Sequence, residues 1–401
     1  MLGQNKLSLT TKVFIGLVLG SLFGLILPDI APSLKIVGDL FVKAIRMVIL
    51  PLILLCVTAG VAQLGDMRTV GKSGVGMLVY AAVVNLCSSL AGVLVGVLVN
   101  PAKGVDIPSG LKAATVNAPS AKDIILSIIP DNIFTALTAN NMLAIIFFSM
   151  LVGIAIIMSK EKGQKLLAVV QSGSDVVAQL IGVIIKFTPY AVFALLAVTI
   201  AQHGAAVLGS LAKLLAAIWV GTTLFVVLWT FVVCTLVTKK SWFKFISSTA
   251  EAVMMALATC SGAATMPLNV ANTEKFLGVP KQIGAMVIGT GTVIINGGSS
   301  FYKAIATYFV ATLYGATLTV GDLTIITVLS AFIITAGVPA AGTLTAAVIL
   351  TYLGVPLEGI GMLMGIDRLR DMISTAGNVV VQSNAASTIH TISGEKLKVL
   401  T

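Results

Sequence analysis

Charge is scarce in this sequence: 10% of its 401 residues are Asp, Glu, Lys or Arg, while 57% are hydrophobic. A water-soluble domain carries about 25% charged residues. So few cannot cover a soluble surface, which excludes the soluble globular class and leaves a bilayer as the solvent. Histidine is rarer still, with His203 and His390 the only two, so no metal site is expected. The four cysteines, Cys56, Cys87, Cys234 and Cys260, fall in or beside apolar segments without CxxC or zinc spacing. They read as reduced residues, mostly packing. Aromatics are 6% of the chain and do not interleave with basic residues. The net charge of +10 therefore does not describe a nucleic-acid surface, and no nucleic-acid partner is expected. No nucleophile–base motif is present, since Cys260 has no histidine near it in sequence, so neither an enzyme nor an organic cofactor is expected. The first apolar run is long and lacks a small-residue cleavage site, so no cleavable signal peptide is expected either.

What is abundant is apolar sequence in runs long enough to span a hydrocarbon layer, which takes roughly 20 residues of helix. Six spans are predicted near 10–28, 36–64, 74–99, 140–159, 166–200 and 206–238, with a loop and short helices over 100–135. Basic residues sit in the gaps: Lys6 and Lys12; Arg68 and Lys72; Lys160, Lys162 and Lys165; Lys239, Lys240 and Lys244; Lys396 and Lys398. Placed on the cytoplasmic side, they put both termini inside. Lys35, Lys103, Lys112 and Lys122 fall on the opposite side, so the asymmetry is imperfect.

From 241 onward the apolar sequence is broken repeatedly by Gly, Pro, Ser and Thr. Segments 241–272 and 323–354 each carry a small-residue turn at their middle, at 259–265 and 336–343. Each reads as a helical hairpin that enters the membrane and leaves on the same side. Each is followed by a longer span, 281–315 and 356–390. Two such units entering from opposite faces make an inverted repeat, which places a solute site at the midplane between broken elements. Non-helical backbone is tolerated at that depth where it is buried in protein or lines a cavity. Span 281–315 also breaks internally at Ile295-Asn296-Gly297-Gly298-Ser299-Ser300, where each glycine weakens a helix by roughly 1 kcal/mol relative to alanine.

The last span holds Asp367, Asp371, Ser374, Asn378 and Gln382 at spacings of 4, 3, 4 and 4, which shares one helical face. An ionisable residue within a span is a functional candidate by default. Asp371 suits a substrate ammonium, and Asn378 offers both a carbonyl and an amide to a zwitterion. The bland alternative is that Asp367, Arg368, Arg370 and Asp371 pair among themselves.

Four stretches carry a family resemblance: 38–51, from Gly38-Asp39-Leu40-Phe41 to Leu50-Pro51; 258–267, from Ala258 to Pro267; Ala336-Gly337-Val338-Pro339-Ala340-Ala341-Gly342; and Gly365-Ile366-Asp367-Arg368 with Asp371-Met372 and Asn378. In this order and spacing the chain resembles the dicarboxylate/amino acid:cation symporters over nearly its whole length. The resemblance implies an all-α integral membrane protein of eight transmembrane helices plus two re-entrant hairpins, assembled as a homotrimer in the plasma membrane and in contact with lipid. It implies an elevator-type carrier, with scaffold helices in 1–73 and 100–200 and a transport domain in 74–99 and 201–401, gated by the second hairpin. The substrate site it implies comprises Cys260, Ser261, Gly262, Ser299, Val338, Pro339, Gly342, Asp371, Ser374, Thr375 and Asn378. The candidates for ion coupling are Asn296, Gly297, Lys303, Asp367 and Gln382.

The departures from the family pattern are specific. Where the family's broken helix reads Asn-Met-Asp-Gly-Thr, this chain has Ile295-Asn296-Gly297-Gly298-Ser299, with Gly297 at the aspartate position. Gln382 stands where a second sodium-binding aspartate is found, and Val83 and Val84 replace a Thr/Ser pair. Sodium, a hard cation, needs several oxygen ligands, by analogy with the hard divalent ions, so weak or absent sodium coupling is expected and a proton is favoured. Ser374 stands where acidic-substrate members carry Arg. It cannot grip a side-chain carboxylate in a bidentate pair, which favours a small neutral amino acid. Arg370, one turn earlier, keeps an acidic amino acid or C4-dicarboxylate open. Lys303, inside the apolar half of the broken helix, either snorkels or pairs with a carboxylate, or supplies a charge or carries the coupled proton, since buried lysines shift their pKa readily. The expected function is a secondary active symporter; a channel or anion pathway is the alternative of another class.

Overall fold

The computed structural model describes residues 9–63, 72–104, 129–139, 141–204, 206–333 and 340–393. Among them the secondary structure is helical, with no strand. The first helices are α1 (Leu9–Ile26), α2 (Lys35–Gln63), α3 (Lys72–Val99), α4 (Ile133–Thr138), α5 (Met142–Met158), α6 (Glu161–Ile185), α7 (Thr188–His203) and α8 (Ala206–Val233). The remainder are α9 (Trp242–Thr259), α10 (Gly262–Leu277), α11 (Lys281–Ile294), α12 (Gly297–Leu313), α13 (Val320–Phe332), α14 (Ala341–Tyr352) and α15 (Gly359–Ser393). Five of the described helical stretches are long and apolar enough to cross a membrane. Helix α15 is not among them despite its 35 residues; it carries Asp367, Arg368, Arg370 and Asp371 close together and is rich in Ser, Thr and Asn beyond them.

One expected span is corrected. The run 166–200 is two helices, α6 and α7, parted at Lys186 and Phe187. Pro189 lies in the first turn of α7. Proline lacks the N–H that would continue a helix across this point and suits the first turn of a new one. The loop expected at 100–135 lies largely outside the described residues, and its end holds α4, capped by Asn132 accepting from the Phe134 amide at 2.8 Å.

Helix α1 packs along α7 through glycines. A Cβ added at Gly16, Gly20 or Gly24 would collide with the carbonyl oxygens of Pro189, Phe193 and Ala197 respectively. Four-residue spacing of small residues places them on one stripe, so the two backbones touch directly. Helices α5, α6 and α7 pack around α2. Helix α3 packs on α12 and α13.

The arms of the two expected hairpins are present as α9 with α10 and α13 with α14. In the first, α9 and α10 pack against each other across a turn at Cys260 and Ser261. Cys260 is in the left-handed region at φ 51°, and the Ser261 hydroxyl caps α10 by accepting from the Ala264 amide at 3.2 Å. The arms reach Leu277, beyond the expected end at 272. In the second, α13 opens with a reciprocal capping box between Thr319 and Asp322. Residues 334–339 lie outside the described residues, so most of the expected tip falls there. The expected break between 281 and 315 is observed at Ile295 and Asn296, between α11 and α12. Helix α15 packs against α7 through α12, so the polar face read from its sequence points inward to the broken elements.

Candidate functional site

A cavity of about 810 Å³ lies where the first hairpin tip, the break before α12, the start of α14 and the middle of α15 converge. The hairpin contributes Cys260, Ser261, Gly262 and Ala263; the break contributes Thr292, Val293, Asn296, Ser299 and Lys303. Helix α14 supplies Ala341 and Gly342, and α15 supplies Met364, Asp367, Arg368, Arg370, Asp371 and Thr375. Val13, Ile185 and Thr188 close it from α1, α6 and α7.

The charged centre is built on α15. Arg370 is 1% exposed. Its guanidinium donates to Asp367 through Nε at 3.0 Å and through Nη2, and Nη1 donates to Asp371 Oδ1 at 3.1 Å. One face lies over the Tyr302 ring, 4.0 Å from its centroid, an additional attraction for a cation. Tyr302 and Thr343 share a hydroxyl hydrogen bond of 2.7 Å, and Thr343 donates to Asp367 Oδ1 at 2.6 Å. Gly342 makes room for this arrangement. A Cβ there would stand 2.9 Å from both Arg370 Nη1 and the Tyr302 ring. Asp371 keeps 27% side-chain exposure, Asp367 17%. The two carboxylates remain open to the cavity while the guanidinium between them is nearly enclosed. Arg368 is exposed and donates to the Thr259 carbonyl at 3.2 Å, fastening α15 to the hairpin tip.

The expected substrate residues separate into groups. Cys260, Ser261, Gly262, Ser299, Gly342, Asp371 and Thr375 line the cavity. Ser374 and Asn378 do not. Ser374 is fully buried, its hydroxyl has no hydrogen-bond partner among the described residues, and its carbonyl sits where a Cβ on Gly298 would go. Asn378 spends both ends of its amide on one residue: Oδ1 accepts from the Ser299 amide at 3.1 Å, and Nδ2 donates to the Ser299 hydroxyl at 2.8 Å. It holds the start of α12 rather than facing the cavity. Val338 and Pro339 lie outside the described residues.

The ion-coupling candidates divide likewise. Asn296, Lys303 and Asp367 line the cavity, whereas Gly297 and Gln382 are buried behind it. A Cβ on Gly297 would meet the methyls of Val381 and Val84 at 3.4 to 3.6 Å, an apolar setting with no oxygen from either side chain. Carbonyls on both sides of the break accept from side-chain donors. Gln382 Nε2 donates to Gly291 and Ile295, each at 3.2 Å; Asn85 Nδ2 donates to Ile294 at 2.8 Å; and Ser88 donates to Gly297 at 2.5 Å. Asn85 Oδ1 in turn accepts from the Asn296 amide at 3.0 Å. Among the described residues no cluster of His, Cys, Asp and Glu suits a metal ion.

Sequence reasoning passed over Asn85, Ser88, Tyr302 and Thr343. The first two carried a usable signal, since each is a polar side chain within the apolar run 74–99 and must find a buried partner.

A model of the sodium:dicarboxylate symporter family matches residues 9–392. The chain is 32% identical over 400 residues to the proton/sodium-glutamate symport protein of Geobacillus stearothermophilus, covering 96% of this chain and 94% of that one. It is 31% identical over 402 residues to the C4-dicarboxylate transport protein of Anaeromyxobacter sp. (strain K), covering 97% and 90%. It is also 31% identical over 395 residues to the proton/sodium-glutamate symport protein of Bacillus subtilis (strain 168), covering 95% and 92%.

Proposed function

The chain belongs to the sodium:dicarboxylate symporter family, and from that premise we propose that it carries an acidic amino acid across the plasma membrane, coupled to protons with little or no use of sodium. Its relatives are transporters, not enzymes. The observation that carries the choice of solute is Arg370, which stands in the cavity wall between Asp367 and Asp371. It returns, from one turn earlier, the cation that Ser374 lacks. Among the described lining residues Lys303, Arg368 and Arg370 face Asp367 and Asp371, an excess of one formal positive charge that suits a solute of net charge −1. The ammonium of an acidic amino acid takes Asp371, and its side-chain carboxylate takes the guanidinium edge that Asp371 releases. One internal ion pair is thereby exchanged for two with the solute. The α-carboxylate is held by Ser261, Arg368 and the amides opening α10, where a helix N-terminus favours an anion. A C4-dicarboxylate has no ammonium for Asp371, so the amino acid is favoured.

The coupling proposal rests on the occupied carbonyls. Sodium would have to displace Gln382, Asn85 and Ser88 from them, and no carboxylate stands at 297 or 382 to offset its dehydration. Asp371, the more open of the two carboxylates, lines the cavity, so a proton is the cation this site can accept. In the same reading α3 and α8–α15 move as one body against α1, α2 and α4–α7, three copies assemble, and both termini are cytoplasmic. The packing of α3 on α12 and α13 supports the division.

A neutral amino acid is the second reading, supported by the enclosure of Arg370 and by Ser374. Competition decides between them. In proteoliposomes loaded for exchange, aspartate and glutamate are expected to displace labelled solute at lower concentration than alanine, serine or succinate. Stronger competition by alanine or serine establishes the neutral reading, and by succinate the dicarboxylate one.

A further inference from the structure

Lys303 is the one charged side chain lining the cavity for which the mechanism above has no fixed task. It lies on α12, is 4% exposed, and its ammonium donates to the Ile333 carbonyl at 3.2 Å. Among the described residues no carboxylate lies within ion-pair distance of it. Ile333 is the residue that ends α13, with φ −72° and ψ 111°. The last carbonyls of a helix lack intrahelical donors and carry the negative end of its dipole. The ammonium is therefore aimed at a helix C-terminus from within the apolar wall, where burying a charge unpaired is costly. Asn85 reaches the same helix end, with Nδ2 3.4 Å from the Ala331 carbonyl as well as 2.8 Å from the Ile294 carbonyl. Two side chains thus tie the end of α13 to the broken helix, and one of them brings a full charge.

We propose that Lys303 is a tethered cation that fixes α13 against α12 through its ammonium on the Ile333 carbonyl. It is a positioning residue: it touches the helix that borders the cavity and acts on the solute through that helix. A covalently held ammonium is present whatever the salt, so the contact between α12 and the end of α13 does not depend on sodium. The inference rests on the carrier reading of the cavity but not on the identity of the solute.

The test is hydrogen–deuterium exchange of the peptide covering 320–333 in the full-length protein reconstituted in lipid, without solute, in sodium chloride and in choline chloride. For the wild type, exchange is expected to agree within about twofold in the two salts. Lys303→Gln keeps a donor but loses the charge and is expected to exchange about tenfold faster, the loss of a charge-assisted hydrogen bond. Lys303→Arg, which keeps the charge, is expected to stay close to wild type. Wild-type exchange in the Gln variant, loosening in Arg equal to that in Gln, or wild-type protection that requires sodium each overturn the proposal. If the Gln variant does not fold, the salt comparison on the wild type decides alone. Sodium-independent uptake with an unaffected Gln variant would sink this inference and leave the coupling reading standing. Charge-dependent protection in a protein that ignores acidic amino acids would support this inference and overturn the reading of the solute.

Discussion

At the scale of single residues, Arg370 and Gly342 form one device. The guanidinium binds two carboxylates and lies over Tyr302, and the missing Cβ of Gly342 leaves the space it occupies. Removing one partner of a buried charge network leaves the others uncompensated, at about 3–5 kcal/mol. Arg370→Gln is therefore expected to lower the thermal unfolding temperature in detergent and to abolish uptake of an acidic amino acid. Gly342→Ala is the sharper probe, because it removes no charge. Its methyl must displace Arg370 Nη1 or the Tyr302 ring, and an acidic solute should then show a KM raised about tenfold, equivalent to about 1.4 kcal/mol of lost binding. Transport kinetics of that variant against a neutral amino acid would check this, since a neutral solute makes no side-chain contact with Arg370 and should be affected less.

At the scale of elements, much was legible and the reasons are local. The break at 295–296 was visible because adjacent glycines among apolar neighbours leave a helix little support. The inward face of α15 was visible because its polar residues keep the helical period. What failed was tertiary. The run 166–200 looked continuous because its apolar content persists across Pro189, and only the start of a new helix there separates α6 from α7. Asn378 and Ser374 share a face with Asp371 in sequence, yet α12 covers both, one through Ser299 and the other through Gly298. Nothing in the spacing announces which neighbour covers a polar side chain. Two predictions belong here. Gly20→Ala pushes a methyl into the Phe193 carbonyl where α1 meets α7. Overpacking of this kind costs about 1–3 kcal/mol, which should appear as a lower unfolding temperature. Gln382→Asp replaces the donor to Gly291 and Ile295 with an anion among carbonyl oxygens. Such a cluster repels itself until a cation joins it. Thermal unfolding of this variant is expected to rise with sodium by mass action, while the wild type stays unchanged in the same titration.

At the scale of the whole molecule, the question is what drives accumulation. Each coupled proton adds about 1.4 kcal/mol per unit of pH gradient, a factor of ten in the accumulation ratio. In proteoliposomes with choline as the main cation, a one-unit gradient, acid outside, should therefore raise steady-state accumulation of the acidic solute about tenfold for one net proton. Replacing choline with sodium at fixed pH should change the rate less than about twofold, because Gln382, Asn85 and Ser88 already hold the carbonyls that sodium would coordinate. A steep rise with sodium would mean those side chains yield to the ion during the cycle, and that the polar break before α12 is a cation site after all. Accumulation insensitive to both gradients would instead describe an exchanger, in which one solute leaves as another enters and the Arg370–Asp371 pair re-forms only between them.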